Sequence, residues 1–493
     1  MSPPALRSRE RRRCVAAAAA LAVLAALGPP AAEAKLPRPV GRAFVDAGVP
    51  LDAVSIVVHE AGRPAPLFAY DADRSMNPAS VMKLVTTFAA LELLGPDYRW
   101  KTEAYLGGPL ENGTLEGDLI LKGYGDPKIT IEQWQAFMAT LRARGLAAVT
   151  GDLVLDRTHF ALPPHDPAAF DGEAQRPYNV GPDPLLVNFK SVRFVFAPNP
   201  AGDGVDLRAE PPLPQVELGP SPRLGNGACN DWRAALGAGF ADAAASARVT
   251  FAGRYPASCV ERDWYVALLD VPHYALGMFT TYFRAAGGRF DGGVKEGRAP
   301  AGAAPFATLA SPPLSDIVRD VNKLSNNVMA RQLFLTLATV GRPPPATPAE
   351  ATAAVARWLA RRKLRMPGLV LENGSGLSRR ERVSAGGLAR LLVAADASRL
   401  REEFASSLAV AAVDGTVQRR FGDGAVAGQA LLKSGSLEGV RALAGYVIDA
   451  QGRRFIVVAL INHPNAARGQ AALDYLVQWV YREAAIWREV SGR

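Results

Sequence analysis

Residues 80–94 read SVMKLVTTFAALELL, and Gly95-Pro96 ends the stretch. Apart from two charged residues the stretch is apolar or weakly polar all round, which predicts a helix buried in the middle of a domain. Ser80 and Lys83 then lie on one helical face, within hydrogen-bonding reach. Burial lowers the proton affinity of an amine, so the pair predicts a serine nucleophile beside a lysine base. An ordinary N-cap serine is the simpler alternative.

Two further motifs follow in order along the chain, Ser325-Asn326-Asn327 and Lys433-Ser434-Gly435. A Ser three residues before a Lys occurs about once by chance in a chain of this length, so the first motif alone is weak. Only 10 of the 56 basic residues are lysines, and two of them fall in these motifs. Arg could not replace Lys83 as a base, because a guanidinium is not deprotonated in proteins.

Hydrophobic patterns place the three motifs on predicted elements. A strand pair over 54–59 and 66–70 precedes the first motif, and the second lies between helices predicted over 314–324 and 328–340. Lys433 falls on the first of three strands, at 430–434, 442–448 and 455–462, and a packing helix follows over 472–490. We expect these segments to form one α/β (α+β) domain.

A long insertion separates the first two motifs. Ser325 lies 245 positions after Ser80, whereas Lys433 follows Ser325 by 108. The intervening chain is rich in turns and has strand-like segments at 117–122, 151–155, 187–196 and 263–269. The sequence therefore predicts a catalytic domain from residues 35–97 and 300–493, and one or two inserted β-rich domains over 98–299.

The N-terminus predicts an exported protein. Five arginines between residues 7 and 13 precede an apolar run over 15–27, and Ala32-Glu33-Ala34 predicts a signal peptide cleaved after Ala34. A retained membrane anchor is the alternative, although a span needs about 20 apolar residues. Without the signal's five arginines and two glutamates the net charge falls from +9 to +6. Such a balance favours loose attraction to anionic membranes or wall polymers, and no basic stripe indicates nucleic acid.

Cysteine and histidine usage narrows the chemistry. Cys229 and Cys259 remain after the signal, and in an oxidising compartment they predict a disulfide, with two free thiols as the alternative. No Cys/His cluster suggests a metal site, and we expect no cofactor. The five histidines lack a G-x-S-x-G partner motif, which argues against a Ser-His-Asp hydrolase.

The S-x-x-K, S-x-N and K-[ST]-G motifs resemble those of exported D-alanyl-D-alanine carboxypeptidases/endopeptidases. These are low-molecular-mass penicillin-binding proteins with a long insertion between the first two motifs. The resemblance extends to Gly125-Asp126-Pro127, Tyr178-Asn179, the 373–378 segment Asn-Gly-Ser-Gly-Leu-Ser, and Asp414-Gly415-Thr416. Two positions depart from the commoner pattern, Asn326 in place of Asp and Ser434 in place of Thr.

The resemblance implies a fold and a role for each motif residue. The fold is a penicillin-recognising, β-lactamase-like domain, an antiparallel sheet flanked by helices. The implied catalytic residues are Ser80 as nucleophile, Lys83 as the acceptor of its proton, and Ser325 as the relay to the departing amine. Substrate contacts fall to Asn327, Lys433 and Ser434, and the backbone N–H groups of Ser80 and Ser436 would form the oxyanion hole.

The implied substrates are peptidoglycan stem peptides ending in D-Ala-D-Ala and D-Ala cross-links, in the periplasm, with β-lactams as acylating inhibitors. Two alternatives stay open from the residues alone. A serine β-lactamase shares all three motifs, and a non-catalytic peptidoglycan-binding protein can be built on the same fold.

Overall fold

The computed structural model describes residues 36–422 and 424–491, so the predicted signal peptide over 1–34 lies outside the described residues. None of the described helices is long and apolar enough to cross a membrane. The α-helices of this part are α1 (Arg38–Asp46), α2 (Lys83–Leu94), α3 (Ile131–Ala143), α4 (Val271–Ala285), α5 (Leu314–Lys323), α6 (Asn327–Thr336), α7 (Pro348–Arg361), α8 (Ala385–Asp396), α9 (Arg401–Ser406) and α10 (Gln470–Ser491).

The strands fall into two groups along the chain, one at its two ends and one in its middle. They are β1 (Val54–Glu60), β2 (Phe68–Tyr70), β3 (Ser75–Met76), β4 (Lys101–Leu106), β5 (Leu110–Glu111), β6 (Thr114–Leu115), β7 (Leu119–Gly123), β8 (Ala148–Val149), β9 (Leu153–Asp156), β10 (Ser191–Pro198), β11 (Val205–Glu210), β12 (Val216–Leu218), β13 (Arg223–Gly225), β14 (Leu236–Asp242), β15 (Ala247–Pro256), β16 (Arg262–Ala267), β17 (Arg289–Phe290), β18 (Val294–Glu296), β19 (Ala307–Ala310), β20 (Val383–Ser384), β21 (Ala409–Val410), β22 (Ala430–Leu437), β23 (Val440–Ile448) and β24 (Arg454–Asn462).

A six-stranded antiparallel sheet joins the two ends of the chain, in the order β2-β1-β24-β23-β22-β21. Its central strands are apolar at nearly every position because both faces are covered. On β23, Ala444 and Tyr446 face the core formed with helices α2 and α5 to α9, whereas Leu443 and Val447 face the core formed with α1 and α10. The predicted strands and helices of this part are all present, and the predicted α/β (α+β) fold class is confirmed.

The middle of the chain builds a second body of structure around its own core. Short sheets from β4 to β19, with α3 and α4 packed on them, enclose a cluster that runs from Ala104 to Ala307. All four strand-like segments predicted there correspond to strands, with shifted ends, but the two helices were not predicted. Strand β19 pairs with β4, although it lies beyond residue 299, where the insertion was predicted to end.

Candidate active site

The first motif lies on a tight turn that leads into the buried helix α2. A 3₁₀-helix, Ala79–Met82, precedes α2, whereas the sequence predicted an α-helix from Ser80 onward. In a 3₁₀ turn the residues i and i+3 eclipse one another, which brings Ser80 and Lys83 together. The Lys83 amine lies 2.9 Å from Ser80 Oγ and donates to Asn327 Oδ1 at 2.6 Å. The pair therefore has the geometry of a nucleophile beside a base.

Burial governs the protonation of Lys83, whose side chain is 0% exposed. Burial in the α2 core lowers the pKa of this amine well below its usual value, and the charge of Lys433 lowers it further. Glu381 acts in the opposite direction and raises the pKa, and Arg331 lowers it. An amine with such a lowered pKa can accept a proton from a hydroxyl near neutral pH.

The second motif forms the junction between α5 and α6. Ser325 has a backbone φ of +57°, in the left-handed region that non-glycine residues rarely adopt. Asn326 is the N-cap of α6, and its Oδ1 accepts the Met329 N–H at 3.0 Å. Asn and Asp are equally good N-caps. The departure from the commoner Asp thus preserves the structural role of this position.

The third motif brings a second buried lysine to the same place. The Lys433 side chain on β22 is 0% exposed, and its amine donates to Ser325 Oγ at 2.9 Å and to the Ser434 carbonyl at 2.9 Å. Burial lowers the pKa of Lys433 to about 7. Ser434 Oγ donates to Thr416 Oγ1 at 2.8 Å. Serine in place of the commoner threonine thus keeps a hydroxyl at this position, and Thr416 orients it.

Gly435 is required by a close approach between β22 and the first motif. A Cβ atom at this position would lie 2.6 Å from the Pro78 carbonyl oxygen and 3.1 Å from the Ser80 nitrogen. The first distance is shorter than Cβ contacts allow and the second is tighter than most, so a glycine at this position lets the strand pack against the Ser80 backbone.

A loop that sequence reasoning did not assign completes the surroundings of Lys83. We call residues 372–377 the active-site loop. The carbonyl of Ser375 accepts a hydrogen bond from the Lys83 amine, and that of Gly374 accepts from Thr86 Oγ1 at 2.7 Å. The carboxylate of Glu381 accepts hydrogen bonds from four backbone N–H groups of the loop. Most of this loop belongs to the 373–378 segment, Asn-Gly-Ser-Gly-Leu-Ser, which was recognised in the sequence without a role.

Glu381 could not be singled out from the sequence because it stands in the run Arg379-Arg380-Glu381-Arg382. A run of charges normally indicates a solvated surface. Glu381 is nevertheless 0% exposed. Thr416 was noted as part of a matching segment, but nothing in the sequence paired it with Ser434.

The predicted residues Ser436, Cys229 and Cys259 have separate surroundings, as does His463, one of the five histidines. Ser436 is exposed near the end of β22. Cys229 and Cys259 form a disulfide within the inserted part, with 4.9 Å between their Cα atoms. His463 Nδ1 accepts the Asn465 N–H at 3.1 Å and caps a short helix. The described residues contain no cluster of three or more His, Cys, Asp or Glu that could hold a metal ion.

A groove of about 510 Å³ opens beside the second motif. Ser325, Asn326 and Asn327 form one end, and the inserted part contributes Tyr178 and Tyr265 among its other walls. Both tyrosines are well exposed, at 40% and 50%. The groove thus connects the second motif with the surface of the insertion.

Residues 41–483 match the D-Ala-D-Ala carboxypeptidase 3 (S13) family. The chain belongs to this family. It is therefore a serine-type peptidase of the D-Ala-D-Ala carboxypeptidase class, and the predicted family and enzyme class are confirmed.

Several proteins are similar to this S13 peptidase over most of its length. D-alanyl-D-alanine carboxypeptidase DacB of Haemophilus influenzae is 27% identical over 404 residues, which cover 80% of this chain and 82% of that protein. D-alanyl-D-alanine carboxypeptidase of Actinomadura sp. (strain R39) is 29% identical over 454 residues, covering 85% and 79%. The crystal structure of penicillin binding protein 4 from Haemophilus influenzae shares the fold, with a TM-score of 0.73, 24% identity, and coverage of 90% of this chain and 99% of that chain.

Proposed function

We propose that this S13 peptidase cleaves D-alanyl-D-alanine bonds through an acyl-enzyme on Ser80. The contact of the fully buried Lys83 amine with Ser80 Oγ at 2.9 Å carries the proposal. Lys83 takes the hydroxyl proton as Ser80 Oγ attacks the carbonyl carbon, and Ser325 passes a proton to the departing amine. Water then attacks the acyl carbon, which releases the shortened peptide and restores Ser80.

The other motif residues are proposed to hold the substrate. Asn327 binds the peptide amide, and Lys433 and Ser434 bind the terminal carboxylate, to which a cation and a hydroxyl are suited. The backbone N–H groups of Ser80 and Ser436 stabilise the oxyanion, a device that contributes roughly 3 to 4 kcal/mol per donor. The close packing at Gly435, which brings β22 to the Ser80 backbone, supports this assignment.

Cross-linked stem peptides are the second proposed substrate, alongside pentapeptide stems. The 510 Å³ groove beside Ser325 is larger than a departing D-alanine requires, since pockets of about 300–1,000 Å³ hold ligands of drug size. Endopeptidase action would place the second stem there. Release of D-alanine from a pentapeptide and cleavage of a cross-linked dimer, measured on the same preparation, separate the two activities.

The cellular setting is also proposed. Action on peptidoglycan and the N-terminal pattern support export to the periplasm after cleavage behind Ala34.

Pairing of β19 with β4 supports an insertion that extends to residue 310, between catalytic segments before 98 and after 310. Cys229 and Cys259 would stabilise the insertion in an oxidising compartment.

Benzylpenicillin labelling tests the function directly. The intact mass of the mature protein is followed over time with the drug, and any adduct is mapped to its peptide. We expect a long-lived adduct on Ser80 that is absent from Ser80→Ala and present in Ser406→Ala, a surface serine control. Rapid hydrolysis of the drug would favour a β-lactamase. An unmodified protein that binds muropeptides without releasing D-alanine would favour the non-catalytic alternative.

A further inference from the structure

The Glu381 carboxylate is the anchor of the active-site loop. Its Oε1 accepts the N–H groups of Glu372, Asn373 and Gly374 at 3.0, 2.9 and 2.8 Å, and its Oε2 accepts that of Gly376 at 2.8 Å. Hydrogen bonds to a charged acceptor are roughly twice as strong as neutral ones. In the described part of the chain Glu381 forms no ion pair, so these amides replace the water that a buried carboxylate loses.

The anchored loop contacts the first motif on both sides of the nucleophile. The Ser375 carbonyl accepts from the Lys83 amine, and the Gly374 carbonyl holds Thr86 one turn further along α2. At Gly376, where φ is +79°, a Cβ atom would lie 1.9 Å from the Ala79 carbonyl oxygen and 2.8 Å from the Ser80 nitrogen. A shift of this loop would therefore move the Lys83 amine relative to Ser80.

The charge of Glu381 also acts on Lys83. The charged groups around that amine are Lys433 from β22, Arg331 from α6 and Glu381 behind the loop. Lys433 and Arg331 disfavour the protonated amine, whereas Glu381 favours it. Glu381 thus opposes two positive charges in a place from which water is excluded.

We propose that Glu381 is a positioning residue for Lys83, which fixes the active-site loop on the lysine amine and supplies negative charge that offsets Lys433 and Arg331. The inference rests on the proposed function, because it concerns how Lys83 is held for the acylation of Ser80. Glu381 does not touch the reacting atoms; it acts through the loop and through its field.

Two substitutions separate the geometric role from the electrostatic one. Glu381→Gln keeps the size of the side chain but removes the charge, and its amide nitrogen cannot accept an N–H. Glu381→Asp keeps the charge but is one methylene shorter, so it cannot reach all four N–H groups. Glu402→Gln is the control, because Glu402 lies on α9, outside the active-site loop, and its side chain is 81% exposed.

The test is the second-order rate of Ser80 acylation by benzylpenicillin as a function of pH. We expect Glu381→Gln to lower the maximal rate at least tenfold, because small misplacements of catalytic groups are costly. Without the negative charge the pKa of Lys83 falls, so the acidic limb of the profile should move to lower pH. Glu381→Asp should lower the rate without moving the limb, and Glu402→Gln should stay within about twofold of wild type.

Hydrogen–deuterium exchange of the peptide that covers residues 372–377 provides a readout independent of activity. We expect faster exchange of the Gly374 and Gly376 amides in Glu381→Gln, with Glu402→Gln close to wild type. If Glu381→Gln has the wild-type acylation rate and acidic limb, or if its loop amides exchange at the wild-type rate, Glu381 is not a positioning residue. The proposed function would still stand. A wild-type protein that benzylpenicillin does not acylate would overturn the proposed function, and the exchange experiment would still decide whether Glu381 anchors the loop.

Discussion

The catalytic part and the insertion both bury charged side chains, but they satisfy them in different ways. In the insertion, Glu103 is 4% exposed and accepts from Lys101 at 2.7 Å, from Tyr105 at 2.7 Å and from Tyr124 at 2.6 Å. In the catalytic part, Lys83 and Lys433 are fully buried, and no carboxylate of the described residues forms an ion pair with either. Glu103, which has its counterion, is therefore structural, whereas Lys83 and Lys433, which have none, are available for chemistry.

The pKa values of the two regions follow from this difference. Burial raises the pKa of Glu103, but the hydrogen bonds from Lys101, Tyr124 and Tyr105 outweigh burial and hold it below the usual value. Burial lowers the pKa of Lys433 to about 7 without a compensating partner. The paired carboxylate is therefore charged at neutral pH, and the unpaired lysine titrates there.

The largest effect is expected when Lys83 can no longer gain and lose a proton. Lys83→Arg keeps a cation but cannot give up its proton, and Lys83→Met removes the base while keeping an apolar side chain of similar length. We expect both variants to lose acylation by benzylpenicillin by roughly 10³-fold or more, at the upper part of the range for general-base catalysis. Intact-mass kinetics measure the rate, and circular dichroism checks the fold. A Lys83→Arg variant with near wild-type acylation would show that this lysine is not the base.

Sequence alone anticipated the catalytic fold because its signals are local. The apolar run over 80–94 and the three C-terminal strands are continuous hydrophobic segments, and all of them correspond to observed elements. The insertion was harder to predict. Its helices α3 and α4 have mixed patterns in a turn-rich region, and the pairing of β19 with β4 joins residues about 200 positions apart in the chain, which no local pattern reveals.

The candidate site divides in the same way between local and distant relations. The spacing of Ser80 and Lys83 predicted their contact, since three residues along a helix determine it. The contacts of Lys83 with Asn327 and Ser375, and of Lys433 with Ser325, depend on tertiary packing. The motif resemblance implied that Lys83 lies near Asn327 and that Lys433 lies near Ser325. Nothing in the sequence predicted that Glu381, which stands among three arginines, would be buried and would accept hydrogen bonds from four backbone N–H groups.

A second test of the comparison removes one of the two unpaired lysines. Lys433→Met leaves Ser325 Oγ without its donor, and we expect acylation to fall roughly 10- to 100-fold, equivalent to about 1–3 kcal/mol. The charge of Lys433 lowers the pKa of Lys83, so its removal raises that pKa. The acidic limb of the pH–rate profile should therefore move to higher pH, opposite to Glu381→Gln. Lys433 carries its charge below about pH 7, so the rate profiles of the variant and the wild type should differ most in that range.

Lys433→Arg provides the control for that variant. An arginine keeps the positive charge at every pH, so the acidic limb should remain at or below the wild-type position even if the rate falls. A limb that moves to higher pH in both variants would mean that geometry, not charge, couples the two lysines.

In the insertion, we expect the removal of a buried charge to lower the free energy of unfolding without lowering the rate of acylation. Glu103→Gln removes the counterion of Lys101 and weakens the bonds from two buried tyrosine hydroxyls. We expect the unfolding free energy to fall by about 1–3 kcal/mol, while acylation of Ser80 stays within about twofold of wild type. Thermal unfolding measures the first effect. Glu111→Gln, an exposed glutamate on β5, should change neither quantity, and a large loss of acylation in Glu103→Gln would contradict the division.

The smallest expected effect concerns Asn326, a structural residue inside a catalytic motif. Its Oδ1 caps α6 by accepting the Met329 N–H, a role that a carboxylate performs as well. We expect Asn326→Ala to lower the unfolding free energy by about 1 kcal/mol and Asn326→Asp to change it by less than about 0.5 kcal/mol. Chemical denaturation resolves the two. Equal losses in both variants would mean that the amide nitrogen of Asn326, rather than its oxygen, is the group that this position needs.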